Sequence, residues 1–154
     1  MSDDDKLAVN EFHKKVAIKT NGGVWGVLDK ESPSTEELQN ALEMAFTSLY
    51  HWKQIGKPIN LARGDYMISR VLSDMGKGDL ALYYADRTLK LTEEADEKAD
   101  FDMGFAYEVL AKAYSVKGDK ANCAKYKEMS QKVIDTLGDE DKKISQGELD
   151  KVKC

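Results

Sequence analysis

The chain has 154 residues, 42% of them hydrophobic and 33% charged, and a net charge of −5, enough for one domain whose core needs neither metal nor disulfide. The acid excess leaves no dominant basic stripe for nucleic acid, and no apolar run nears the ~20 residues that span a bilayer. The acidic opening Met1-Ser2-Asp3-Asp4-Asp5-Lys6 is unlike a secretory signal, so the expectation is a cytoplasmic protein that engages neither nucleic acid nor membrane.

Abundant Ala, Leu, Glu and Lys with only two prolines favours helix, and no stretch alternates with period 2, which predicts an all-α fold of about seven helices in a single domain, 1–154. Helix one is expected over about 4–30, from Val9, Phe12, Val16, Val24, Val27 and Leu28, after a frayed start. Each glycine of Asn21-Gly22-Gly23 costs about 1 kcal/mol against alanine in a helix, which predicts a kink or break there. Ser34-Thr35-Glu36-Glu37 has capping-box spacing and opens helix two, with Leu38, Leu42, Ala45, Leu49 and Trp52 as its buried stripe and Gly56 and Pro58 as its end. The first two helices form an N-terminal pair, 4–55.

Helix three follows over about 60–75 and stops at Gly76. Asp79 is placed to cap helix four, which runs to about residue 94, and Asp100 to cap helix five after an acidic connector. Helix five ends at Gly118, Asp119 caps helix six, and Gly138 ends that. A short polar helix within 139–154 caps the array, with Ile144, Leu149 and Val152 as its apolar contacts. Cys123 lies within helix six and Cys154 outside it. Neither shows metal spacing, so both are read as free thiols in a reducing compartment.

Helices three to six repeat internally. A shift of 42 carries Gly76 onto Gly118, Ile68 onto Leu110, Ser69 onto Ala111, Leu72 onto Tyr114, Ala81 onto Cys123, Tyr84 onto Tyr126, Thr88 onto Ser130 and Leu91 onto Val133. Small residues fall on small ones and aromatic on aromatic, as packed helical hairpins require. The stretches Ile68-Ser69-Arg70-Val71-Leu72 to Gly76 and Tyr84-Ala85-Asp86-Arg87-Thr88-Leu89-Lys90-Leu91, with their 42-shifted partners, resemble two tetratricopeptide repeats over 60–137. The period is longer than that family's 34, and its closing proline is missing. The segment Ser48-Leu49-Tyr50-His51-Trp52 through Asn60-Leu61-Ala62-Arg63-Gly64, with Phe105-Ala106-Tyr107-Glu108, is similar to a group of small uncharacterised bacterial tetratricopeptide-like proteins. The resemblance implies stacked antiparallel hairpins and no activity.

Catalytic signals are missing. There is no GxSxG elbow, no glycine-rich phosphate loop after a strand, and no HxxH, HxxxH or ExxH pair; no metal, cofactor or enzymatic role is expected. Gly76-Lys77-Gly78-Asp79 reads as a helix end followed by a helix start. Of the two histidines, His13 is expected on the surface, and His51 either bonds between helices or serves a polar site.

Arginine is the informative residue. Against 20 lysines stand only Arg63, Arg70 and Arg87, and the planar guanidinium suits fixed pairing with carboxylate or phosphate. Arg63, Tyr66, Arg70 and Ser73 share one face of helix three, and the 42-residue shift brings Phe105, Glu108, Lys112 and Ser115 to the matching face of helix five. In tetratricopeptide folds the first helix of each pair lines a concave groove. The resemblance therefore implies a non-enzymatic interaction module whose groove, Arg63, Tyr66, Arg70, Phe105, Glu108 and Lys112, takes a protein or an acidic peptide. The competing reading makes Arg63 and Arg70 packing groups paired with Glu108, Asp102 or Asp65. A second functional reading is a small-molecule site in a polar pocket near His51, Arg63, Arg70, Asp102, Tyr107 and Glu108.

Overall fold

A computed structural model describes all 154 residues as seven helices and no strand: α1 Asp3–Leu28, α2 Thr35–Ile55, α3 Pro58–Asp74, α4 Gly78–Glu94, α5 Asp102–Lys117, α6 Lys120–Ile134 and α7 Asp139–Asp150. The first six pack as antiparallel hairpins, α1 on α2, α3 on α4 and α5 on α6, while α7 lies against α6 and α5.

The repeat is most visible where α3 and α5 end. Gly76 and Gly118 both adopt left-handed backbone, φ +75° and +79°, which a residue with a Cβ adopts only at a cost. At each site the glycine N–H and the one after it turn back onto the closing helix: Gly76 to Ser73 and Lys77 to Leu72, then Gly118 to Ser115 and Asp119 to Tyr114. The hairpin helices meet through small residues, Ala81 and Cys123 both being fully buried. One core cluster joins Val24, Leu49, Ile68, Val71, Ala85, Val109 and Leu110 across α1 to α5. A second, of Ala111, Cys123, Ile134, Leu137, Leu149 and Val152, carries α7.

Several local expectations are corrected. Helix one has neither a frayed start nor a break: Ser2 and Asp5 form a reciprocal capping box, and the helix runs through Gly22 and Gly23. A Cβ at Gly23 would meet Met44 Sδ at 2.5 Å, so this glycine admits α2 close to α1. Pro58 opens α3, at the first-turn position where its missing N–H costs nothing, and does not close α2. Asp79 does not cap α4; it lies in the first turn and pairs with Lys117 at 2.5 Å. Phe101, and not Asp100, precedes α5, and the carboxylate of Asp102 accepts the Ala99 N–H at 2.7 Å. Leu149 in α7 and Val152 just after it are buried as expected, but Ile144 is 56% exposed.

The cysteines are not free. Cys123 and Cys154 form a disulfide, because α7 turns the following residues back onto α6. The expectation of a reducing compartment rested on free thiols and loses that support. No helix is long and apolar enough to cross a membrane.

Candidate functional site

The arginine face of α3 divides into a buried half and an open half. In the buried half, the Tyr66 hydroxyl donates to Glu108 Oε1 at 2.6 Å and accepts from Arg70 Nη1 at 2.7 Å, while Nη1 lies 3.4 Å from the same carboxylate oxygen. Arg70 Nη2 pairs with Glu148 Oε2 of α7 at 3.0 Å, and the guanidinium carbon lies 5.7 Å from the centre of the Trp25 ring of α1. Four helices thus converge on one guanidinium, of which only 2% is exposed. Arg70 Nε and Glu108 Oε2 have no hydrogen-bond partner within the chain.

The electrostatics follow from burial. Burial pushes the Glu108 carboxyl above its ordinary value, with Arg70 and the Tyr66 hydrogen bond opposing. Burial also opposes the charge on Arg70, but Tyr66, Glu108 and Glu148 outweigh it and raise its pKa. The Tyr66 phenol is raised well above its ordinary value, again first by burial. Burial thus works against ionisation of both the phenol and the carboxyl, while Arg70 keeps its charge between them.

The open half begins one to two turns earlier. Arg63, 47% exposed at the side chain, clamps Asp102 with two hydrogen bonds, Nε to Oδ1 at 3.0 Å and Nη2 to Oδ2 at 2.8 Å, and lies over the Phe101 ring at 5.6 Å. Beside this clamp is a cleft of about 240 Å³ walled by Trp25, Tyr66, Met67, Phe101 and Phe105, with Asn21 at its rim. Phe105 stands edge-on to both Tyr66 and Phe101, with ring centres 5.5 and 5.8 Å away, which fixes the aromatic wall.

The residues singled out in the sequence are therefore only partly assembled. Arg63, Tyr66, Asp102 and Phe105 share the cleft. Arg70 and Glu108 lie beneath the surface as a buried pair, the arrangement that the packing reading describes, and Arg63 takes its acid from Asp102. Lys112 pairs with Asp74 at 3.1 Å at the far end of the face. His51 and Tyr107 do not join them. His51 meets His13, Nδ1 to Nδ1 at 2.8 Å, so His13 is not the plain surface residue expected. Tyr107 stacks on Tyr126, with ring centres 6.3 Å apart. Trp25 and Phe101 complete the cleft; their aromatic character reads equally as core, and only the fold over α3 reveals their place.

No family model and no curated protein matches the chain. Among solved structures it is similar to the TPR (tetratricopeptide-repeat) domain of Arabidopsis FLU, with a TM-score of 0.68 and 18% identity over 81% of this chain and 99% of that one. The fold is tetratricopeptide-like. In the TPR-like frame α1, α3 and α5 are the first helices of their hairpins, and it is these that wall the cleft, with Thr88 and Thr92 of α4 behind them.

Proposed function

We propose that this protein is a non-enzymatic interaction module that docks a short peptide or protein segment along the face shared by α3 and α5. The observation that carries the reading is the Trp25–Phe101–Phe105 cleft beside the half-exposed Arg63. Its ~240 Å³ falls below the ~300–1,000 Å³ of sites that enclose a whole small ligand, and matches one apolar side chain anchored from a longer segment. Arg63 beside the cleft, half exposed next to its Asp102 partner, favours an acidic residue adjoining that anchor. Tetratricopeptide-like folds serve generally as protein-interaction modules, and the trio of Tyr66, Arg70 and Glu108 lends the face rigidity.

Selection of a displayed peptide library against the full chain tests this. The enriched peptides share an aromatic or aliphatic residue with a neighbouring acid, and Phe105→Ala and Arg63→Glu each weaken their binding by about tenfold or more while the protein stays folded. Enriched peptides indifferent to both substitutions would place the interaction surface elsewhere.

A further inference from the structure

The guanidinium of Arg70 is a half-used fork. Its Nη2 is ion-paired with a single oxygen of Glu148 of α7, its Nε is buried without a partner, and the Nε–Nη2 edge can receive both oxygens of a carboxylate. Glu148 is the contribution of a helix that touches the rest of the fold through few of its own residues. Seven of its twelve residues are acidic or basic, and only Ser145 and Leu149 are buried. Within α7, Gln146 exchanges two amide hydrogen bonds with Gln131 at 2.7 and 2.9 Å, and Leu149 enters the second core cluster. The other anchors lie just beyond it: Val152 in the same cluster, Lys127 Nζ on the Val152 carbonyl at 2.7 Å, Ser115 Oγ on the Lys153 carbonyl at 2.5 Å, and the Cys123–Cys154 disulfide.

We propose that Arg70 forms a carboxylate-binding site occupied from within by Glu148, and that the Cys123–Cys154 disulfide latches that occupant in place. With the bond reduced, α7 detaches and the fork accepts a carboxylate of an acidic helical segment, extending the docking face beyond the aromatic cleft. The proposal rests on the interaction-module reading for the purpose of the site, though not for the latch.

The chemistry is thiol–disulfide exchange. Cys154 is exposed while Cys123 is fully buried, so the thiolate of an external dithiol attacks Cys154 Sγ, and Cys123 leaves as a thiolate and takes up a proton. The second thiol of the dithiol then displaces Cys154. Two cysteine thiols result, and the dithiol becomes a disulfide. Where a disulfide meets a reducing compartment, transient formation of this kind is its usual mode.

The test uses the full chain. Reduction with dithiothreitol speeds amide exchange across residues 139–154 by about tenfold or more, with α3 and α5 unchanged. Unchanged exchange would remove the latch. The site is probed with a fluorescein-labelled peptide of residues 139–153. Its affinity rises from oxidised wild type to Cys154→Ser and again, by about tenfold, in Cys154→Ser/Glu148→Lys, which expels the resident carboxylate. A Glu148→Gln version of the peptide loses that gain. Equal affinity for the oxidised protein and the double variant would overturn the site. Library-selected peptides that bind through Phe105 are expected in both redox states, so a failure of the cleft reading shows there and leaves the exchange result standing.

Discussion

Arg70 on α3 reaches past α5 to Glu148 on α7, Nη2 to Oε2 at 3.0 Å, and so ties the second hairpin to the capping helix. Both groups are largely removed from water, with side-chain exposures of 2% and 12%. A buried ion pair gains little over a well-packed apolar pair, but breaking it by removing one partner strands the other charge. Arg70→Ala leaves Glu108 without its cation and is expected to lower stability by about 3–5 kcal/mol in urea unfolding. Arg63→Ala removes a cation that is half in solvent and is expected to cost about 1 kcal/mol or less. Similar losses at the two arginines would contradict the division of this face into buried and open halves.

The unbroken α1 sets a second expectation. Gly22 is helical, and a Cβ there meets nothing within 4 Å, so Gly22→Ala should stabilise by up to about 1 kcal/mol through propensity alone. Gly118 also has open space, but its φ of +79° disfavours any Cβ, and Gly118→Ala should destabilise by about 1 kcal/mol. Melting temperatures that move in opposite directions are the expected result. A loss at Gly22 would restore the break that the sequence suggests.

The 42-residue shift made much of this legible. It aligns Tyr66 with Glu108, which hydrogen-bond to each other, and Gly76 with Gly118, which share one turn geometry. It also carries the arginine face of helix three onto the matching face of helix five. What the shift cannot carry is what lies over that face. Trp25 and Glu148 belong to α1 and α7, outside the repeat, and both helices are mostly exposed, so neither advertises the few residues it buries. Arg70, Glu108 and Lys112 at helical spacing look like a solvated stripe until those two helices are in place. The disulfide was hidden for the same reason: Cys154 comes within reach of Cys123 only because α7 reverses the chain. In α1 the breaker cost of Gly22 and Gly23 is overcome by burial of Ala17, Val24 and Leu28 on either side.

Stability should depend on pH through Glu108. Its carboxyl titrates above the ordinary value in the folded chain, first because it is buried, so the folded state holds this proton more tightly than the unfolded state. The contribution therefore favours folding at acid pH and is lost as pH rises through the window from the ordinary glutamate value up to the folded one. Asp65, raised by burial with Arg87 opposing, acts in the same direction. Glu108→Gln cannot titrate, and its stability relative to wild type should improve from about pH 4 to pH 7 in paired urea curves. A difference that stays constant with pH would mean that burial does not govern this carboxyl.

The disulfide closes a loop with a sequence separation of 31, and chain-entropy reasoning assigns such a crosslink about 3–4 kcal/mol. Cys154→Ser should lower the urea midpoint accordingly. Cys123→Ser should cost more, because it also places a hydroxyl at a fully buried site among Ala111, Ile134 and Leu149. Equal costs would mean that the crosslink alone matters and that packing around Cys123 does not.

Tyr66 serves both halves of the face, which makes it the residue to separate them. Its ring walls the cleft, while its hydroxyl bridges Arg70 and Glu108 at 2.7 and 2.6 Å. Tyr66→Phe keeps the ring and removes the bridge, leaving the cation and carboxylate to face each other at 3.4 Å with two hydrogen bonds lost. Hydrogen bonds to charged groups are worth about 1.5–3 kcal/mol, so stability should fall by about that amount. Binding of an apolar-anchored peptide should change little, because the surface it meets is still aromatic and of the same shape. Phe105→Ala has the opposite signature, a modest loss of stability with a marked loss of binding. If Tyr66→Phe abolished binding while the protein remained folded, the hydroxyl itself would contact the partner, and the trio would belong to the binding surface and not to its support.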